Sequence, residues 1–110
     1  MKTFYTSVIE LRQEFTGAVE THPYECGWAD EALFFVEVED AAPGAVVSLR
    51  VQLSADGIRW IDEGTVLVSS DRAFARITHF GGFLRLAGST AGSDGEPTPV
   101  SLTVRLALKG

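Results

Sequence analysis

Three side chains could ligate a soft metal or form a Cys–His nucleophilic pair: His22, Cys26 and His79. Zinc sites need Cys or His residues in closely spaced pairs, and these three match no such spacing. A nucleophilic cysteine also needs a group that orients its histidine and donors that stabilise an oxyanion, and nothing in the sequence supplies either. We therefore predict no metal site and no Cys–His centre. Cys26 is expected to be a small buried hydrophobe, and His22 to lie in a solvated loop.

Acidic side chains are numerous, fifteen in all, and could serve in acid–base catalysis or bind calcium. Acid–base catalysis needs two carboxyl groups that face each other across a pocket and have different pKa values. Glu37 and Glu39 instead alternate along one face of a strand, and the others cluster at turns. The sequence has no calcium-loop spacing, and its glycines sit at hairpin corners rather than in a phosphate-binding motif. We predict no catalytic residue and no cofactor.

Outward-facing phenylalanines are better candidates for a functional surface. Phe35 and Phe83 point away from the inward-facing residues of their own strands, which indicates a second surface that is buried. One possible cover is the N-terminal segment, through Phe4, Tyr5 or Phe15. The other is a second subunit.

The two tryptophans have different predicted roles. Trp28 precedes a strand and is placed to cap one end of the domain, so it joins Phe35 and Phe83 as a candidate interface residue. Trp60 closes a hairpin whose turn is Asp56-Gly57, and we expect it to pack beneath that turn as part of the core. An Asp-Gly pair is typical of a type I′ turn.

The elements that must position these residues are short antiparallel strands. Apolar and polar residues alternate with a period of two, the signature of half-buried strands. Seven to nine strands separated by turns predict an all-β, single-domain sandwich or jelly-roll-like fold, and no helix is placed for a parallel crossover. The predicted strands are 32–39, 46–54, 58–62, 65–68, 72–80, 83–87 and 100–109, with a break at Gly64 and a loop over 88–99.

The first twenty residues fit two structures. Helical spacing of apolar residues, with Ser7 and Glu10 placed like a capping box, favours a short helix. Residue types that prefer strands favour a strand or extended arm, and this is our prediction. His22-Pro23 ends the segment, because the residue before proline avoids helical geometry. We therefore divide the chain into an N-terminal segment, 1–23, and a sandwich domain, 24–110.

Length, charge and cysteine content restrict the function further. The 110 residues are enough for one domain with its own core, and the net charge of −6 disfavours nucleic acid or an anionic membrane as partner. A single cysteine excludes an intramolecular disulfide. The N-terminus has no signal-peptide pattern and no apolar run is long enough for a membrane helix. We expect a soluble protein in the cytoplasm, or in a particle assembled there.

Four segments follow one another in a specific order. They are Ser-x-Asp-Gly-x-x-Trp at 54–60, aromatic-x-Arg-aliphatic at 83–86, a Gly/Thr/Pro loop at 95–99, and an alternating strand at 100–109 that ends in a basic residue. Together they resemble small β-sandwich domains in the structural and decoration proteins of tailed-phage virions. The first segment also resembles, more weakly, the hairpin of discoidin-type carbohydrate-binding domains, which are longer and have paired terminal cysteines.

The phage resemblance implies a structural protein rather than an enzyme. With the outward aromatics, it predicts a homo-oligomer whose partners are other copies of itself and a capsid or tail protein. The alternative is a carbohydrate-binding module in which Trp28 or Trp60 stacks on a sugar.

Overall fold

The computed structural model describes residues 3–78 and 80–110, and this part of the chain contains strands and turns but no helix. No segment of it could therefore cross a membrane as a helix. Its nine strands are β1 (Phe4–Thr16), β2 (Ala18–Glu20), β3 (Tyr24–Glu25), β4 (Glu31–Ala41), β5 (Val46–Ser54), β6 (Ile61–Ser69), β7 (Arg72–Ile77), β8 (Phe83–Ala91) and β9 (Pro99–Lys109). The predicted all-β fold is confirmed.

Two antiparallel sheets form the sandwich. The four-stranded sheet has the order β1-β9-β4-β7, and the five-stranded sheet has the order β2-β8-β5-β6 with β3 also paired to β8. Each sheet turns one face toward the other because its side chains alternate across the pleat. The largest fully buried side chains come from both sheets: Phe34, Leu49, Ile77, Leu84, Leu86, Leu102, Leu106 and Leu108.

The N-terminal segment forms strands, as predicted, and not the alternative helix. β1 pairs with β9 from Phe4 opposite Lys109 to Thr16 opposite Pro99, with two register shifts between residues 8 and 13. A helix here would leave one edge of β9 without its backbone partners, whereas β1 satisfies them. β2 pairs with β8 in the other sheet, so the segment contributes to both sheets. The division of the chain at residue 23 stays a prediction.

Two glycine-containing stretches form strands where the sequence predicted a break or a loop. β6 continues through Gly64, whose φ of 115° accompanies a register shift opposite β5. The shift is a β-bulge, in which Gly64 supplies the positive φ, and the strand continues beyond it. β8 continues through Gly88, where an added Cβ would lie 1.9 Å from the carbonyl oxygen of Ser48. Glycine allows this close approach of two backbones, so the loop spans only residues 92–98.

The predicted two-residue turn at Asp56-Gly57 is instead a longer loop. Leu53 pairs with Ile61, so residues 55–60 lie outside the strands. A type I′ turn needs positive φ at both central residues, but among the described non-glycine residues only Arg12 has one. Gly57, a central residue of the predicted turn, does have the positive φ that such a turn requires, at 79°.

Side-chain hydrogen bonds, in addition to the backbone pairing of β5 with β6, hold this loop in place. The Ser54 hydroxyl accepts hydrogen bonds from the backbone N–H groups of Asp56 and Gly57. One carboxylate oxygen of Asp56 accepts from the N–H groups of Ile58 and Arg59, each at 2.9 Å. These donors, with the hydroxyl of Ser54, hold the pKa of Asp56 below its ordinary value.

The burial of Leu102 on β9 can be tested by truncating its side chain. We expect Leu102→Ala to lower the free energy of unfolding by about 2–5 kcal/mol, because Leu102 is fully buried and its truncation leaves a cavity. Val68→Ala is the matched control: it removes methyl groups from a side chain that is 63% exposed, and we expect a change within about 0.5 kcal/mol. Urea denaturation measures both. Equal effects would contradict the assignment of β9 to the core.

Gly57 provides a second test. We expect Gly57→Val to destabilise the protein by about 1–3 kcal/mol, because a β-branched residue is strained at a φ of 79°. Gly57→Asn should cost clearly less, since asparagine tolerates the left-handed region. The comparison uses urea denaturation of both variants, and a valine variant as stable as the asparagine variant would show that the conformation of the loop is different.

The lowered pKa of Asp56 predicts that the stability of the protein depends on pH. Because its pKa is lower in the folded chain than its ordinary value of 3.8, its contribution to stability is present above pH about 4 and disappears as the pH falls through the lower folded value. We expect Asp56→Ala to reduce stability at pH 6 and to flatten the loss of stability below pH about 4. Urea titrations at several pH values measure this slope. Parallel profiles for the variant and the parent would refute the role of the carboxylate.

Candidate functional site: the two outer sheet faces

The outer face of the five-stranded sheet carries a polar ladder across four strands. Arg85 donates to the side-chain oxygen of Gln52 at 2.8 Å, and the amide nitrogen of Gln52 donates to Asp62 at 2.9 Å. Glu20 lies 3.5 Å from Arg85 at one end, and Arg50 lies 3.4 Å from Asp62 at the other. The hydrogen bond from Gln52 is the main cause of a lowered Asp62 pKa. The side chains of the ladder are thus satisfied within the chain.

Trp60 belongs to this outer face and not to the core, contrary to the sequence-based expectation. The guanidinium carbon of Arg85 lies 4.4 Å from the centroid of the Trp60 ring, which is a cation–π contact. The ring is half-buried. One of its faces is therefore covered by a side chain of the same protein.

Phe83 is partly covered by the 55–60 loop. Its ring carbons lie 3.5 Å from the position that a Cβ on Gly57 would occupy, so the glycine permits the ring to pack against the turn. Phe83 is half-buried on the outer side of β8. Its predicted role in an interface stays untested.

The outer face of the four-stranded sheet is different, because two phenylalanines lie on it side by side. Phe35 on β4 is directly opposite Phe74 on β7. Their ring centroids are 6.5 Å apart with an interplanar angle of 30°. Phe35 is 39% exposed and Phe74 is 67% exposed. A shallow groove of about 310 Å³ runs beside the rings, lined by Phe35, Val36, Glu37, Arg72, Ala73 and Phe74.

Sequence reasoning selected Phe35 for this surface and missed Phe74. The signal was available, since Phe74 alternates with Ala75 and Ile77, and both of these are buried. The sequence pattern does not show that β4 pairs with β7, and this pairing brings the two rings together.

Ion pairs surround the two phenylalanines. Arg105 on β9 donates to Glu37 on β4 at 2.6 Å, and Arg76 on β7 donates to Glu31 on β4 at 2.6 Å. Both pairs link neighbouring strands on the outside of the sheet. They are partly exposed, so they fix side-chain positions more than they stabilise the fold.

Trp28 lies at one end of the sandwich, 44% exposed. Its ring contacts Tyr5 edge-to-face with centroids 6.4 Å apart, and the backbone of Gly110 approaches its six-membered ring closely. A cleft of about 470 Å³ is lined by Thr3, Tyr5, Tyr24 and Trp28. Trp28 is therefore not adjacent in the sheets to Phe35, and the predicted interface residues lie in separate places.

The soft ligands do not form one site. Cys26 is fully buried, and burial, with the charge of Glu25 as a smaller cause, raises the pKa of its thiol to about 12. His22 contacts the buried Glu10 through its Nδ1 atom, 2.6 Å from the carboxylate. His79 lies outside the described residues. Within residues 3–78 and 80–110, no three His, Cys, Asp or Glu side chains are grouped as metal ligands would be.

Comparisons with known proteins identify the fold. No family model matches the sequence, and no curated protein sequence matches it either. Among solved structures, the chain is similar to the SPBc2 prophage-derived protein YomS, with a TM-score of 0.66 and 7% identity over 100% of this chain and 96% of that one. It is also similar to the PBSX exported protein XepA, with a TM-score of 0.55 and 6% identity over 98% of this chain and 36% of that one.

A third similar structure is a chain of infectious bursal disease virus, Gt strain. The TM-score is 0.58 and the identity 10%, over 98% of this chain and 32% of that one. The chain thus corresponds to about a third of the viral protein and of XepA, but to nearly all of YomS. At these identities the likeness is one of fold. The weaker resemblance to discoidin-type domains finds no support in these comparisons, and the fold is one that occurs in phage-derived and viral proteins.

Proposed function

We propose that this chain is a non-enzymatic structural protein that associates with copies of itself, as a subunit or decoration module of a phage-like particle. The observation that carries this proposal is the exposed pair Phe35 and Phe74 on the outer face of the four-stranded sheet. Exposed apolar side chains grouped on a sheet face, with charged residues around them, are typical of protein–protein interaction sites.

The phage-like setting is supported by the fold. YomS, a prophage-derived protein, matches this chain along nearly the full length of both. A likeness at 7% identity does not carry a function with it, so the role in a particle rests on the exposed face together with the fold. A capsid or tail protein is the proposed partner besides the chain itself, and the cytoplasm, or a particle assembled there, is the proposed location.

The chemistry of the polar side chains supports a role without catalysis. The carboxylate of Asp56 is engaged by backbone N–H groups, and that of Asp62 by Gln52. The Cys26 thiol is buried and its pKa is far above neutral pH, whereas a nucleophilic cysteine needs a lowered pKa and access to substrate. Each group has a structural role where it stands.

Edge strands give a further reason for assembly. β6 and β7 are the last strands of their sheets, so each has one backbone edge that no described strand of the chain pairs. Such edges favour contact with another chain.

The proposal predicts the mass of the purified protein. Light scattering coupled to size exclusion, at tens of micromolar protein, should give at least twice the mass of one chain, 11.9 kDa. The reason is that each large apolar side chain buried against another copy contributes about 1.5–3 kcal/mol. A monomer at this concentration would refute self-association. A monomer that also binds immobilised glycans would support the carbohydrate-binding alternative, with Trp28 as the stacking residue.

A further inference from the structure

We propose that two copies of this chain meet through the outer faces of their four-stranded sheets, in antiparallel orientation, with Phe35 and Phe74 at the centre of the contact. This inference rests on the self-association proposed above. It adds the surface, the central residues and the relative direction of the strands.

The centre of the face is a registered row across all four strands. Val8 on β1 lies opposite Arg105 on β9, which lies opposite Phe35 on β4, which lies opposite Phe74 on β7. Val8 is 51% exposed. The neighbouring row contains Leu33, which is half-buried. Phe35 and Phe74, with Leu33 beside them, therefore form an apolar cluster on β4 and β7, and Arg105 separates this cluster from Val8.

The charged side chains on this face cancel. It carries five basic side chains and five acidic ones, so its formal net charge is zero. The basic residues are Arg12, Arg72, Arg76, Arg105 and Lys109, and the acidic ones are Glu14, Glu31, Glu37, Glu39 and Asp40. The net charge of −6 therefore belongs entirely to the other surfaces. Two copies that meet through this face therefore bring no net like charge together.

The charges on this face are also ordered along the strands. At one end Lys109 and Arg76 outnumber Glu31. At the other end Glu14 lies opposite Ser101, which lies opposite Asp40, in a row without a basic residue. Between the two ends, Arg12, Arg72 and Arg105 lie among Glu37 and Glu39.

This order determines the orientation. In an antiparallel arrangement the basic end of each copy faces the acidic end of the other. A parallel arrangement would place like charges together at both ends. A twofold axis across the strands produces the favourable arrangement and closes the assembly at two copies through this face.

The face is large enough for such a contact. Three strands of about eleven residues and one of six, about 4.8 Å apart and with about 3.4 Å per residue, give a surface of roughly 600 Å². A standard interface uses about 800 Å² from each partner. The contact is therefore of the size that specific complexes have.

The first test replaces the most exposed aromatic of the face. We expect Phe74→Ser to weaken self-association by about a hundredfold or more, because the ring is lost from both copies of the contact. Val68→Ser is the matched control, since Val68 is similarly exposed, at 63%, on the edge strand of the other sheet, and we expect no change in mass. Light scattering over a dilution series measures both, with thermal unfolding to show that each variant is folded.

The second test addresses orientation and leaves the apolar centre intact. Asp40→Lys and Lys109→Glu should each weaken association by roughly three- to tenfold at low salt, because each places like charges at one end of an antiparallel contact. The double variant exchanges the two charges and should restore the association constant of the parent protein. Additive weakening in the double variant would refute the antiparallel arrangement.

The outcomes separate this inference from the proposed function. A parent protein that is monomeric throughout the dilution series would refute self-association itself. A parent that associates, with a folded Phe74→Ser variant that associates equally well, would refute only the surface named here. A Val68→Ser variant that dissociates would assign the contact to the five-stranded sheet instead.

Discussion

The two-residue period of β9 is the constraint on which the rest of the structure depends. β9 lies between β1 and β4, and its backbone pairs with both over nearly its whole length. Its inward residues, Leu102, Val104 and Leu106 among them, are at most 1% exposed. A shift of one residue in either pairing would turn these side chains outward and expose them. The registers of β1 and β4 against β9 are therefore fixed by the burial of this one strand.

Fixing the inner faces also fixes what the two outer faces carry. On the five-stranded sheet, Arg85, Gln52 and Asp62 are brought into one hydrogen-bonded ladder that satisfies itself. On the four-stranded sheet, the same alternation brings Phe35 beside Phe74 with ion pairs around them. The polar side chains of the five-stranded sheet's outer face thus find their hydrogen-bond partners within a single chain. The other face has exposed apolar side chains, and burying them against another molecule would lower the free energy.

The fold and the surface answer different questions about this protein. A sandwich of this kind occurs in a prophage-derived protein and in part of a viral protein at identities of 7% and 10%. At identities so low the likeness is one of fold and does not extend to particular surface residues. The interaction proposed for this chain therefore has to be argued from its own exposed side chains, as Phe74, Val8 and the ordered charges allow.

Local pattern in the sequence determined the strands, because burial of one pleat face leaves a visible alternation: β5 and β9 lie where the sequence predicts them, and Phe35 points outward as predicted. It failed where the decisive contact is distant. Gly88 lies in a strand whose backbone closely approaches that of Ser48, and Trp60 lies outside the core with Arg85 against its ring. The proximity of Phe74 to Phe35 likewise depends on β4 pairing with β7. The sequence by itself determined which residues of strands such as β4 and β9 face outward, and only the tertiary structure decided which of them are neighbours, because strand pairing joins residues that are far apart in the chain.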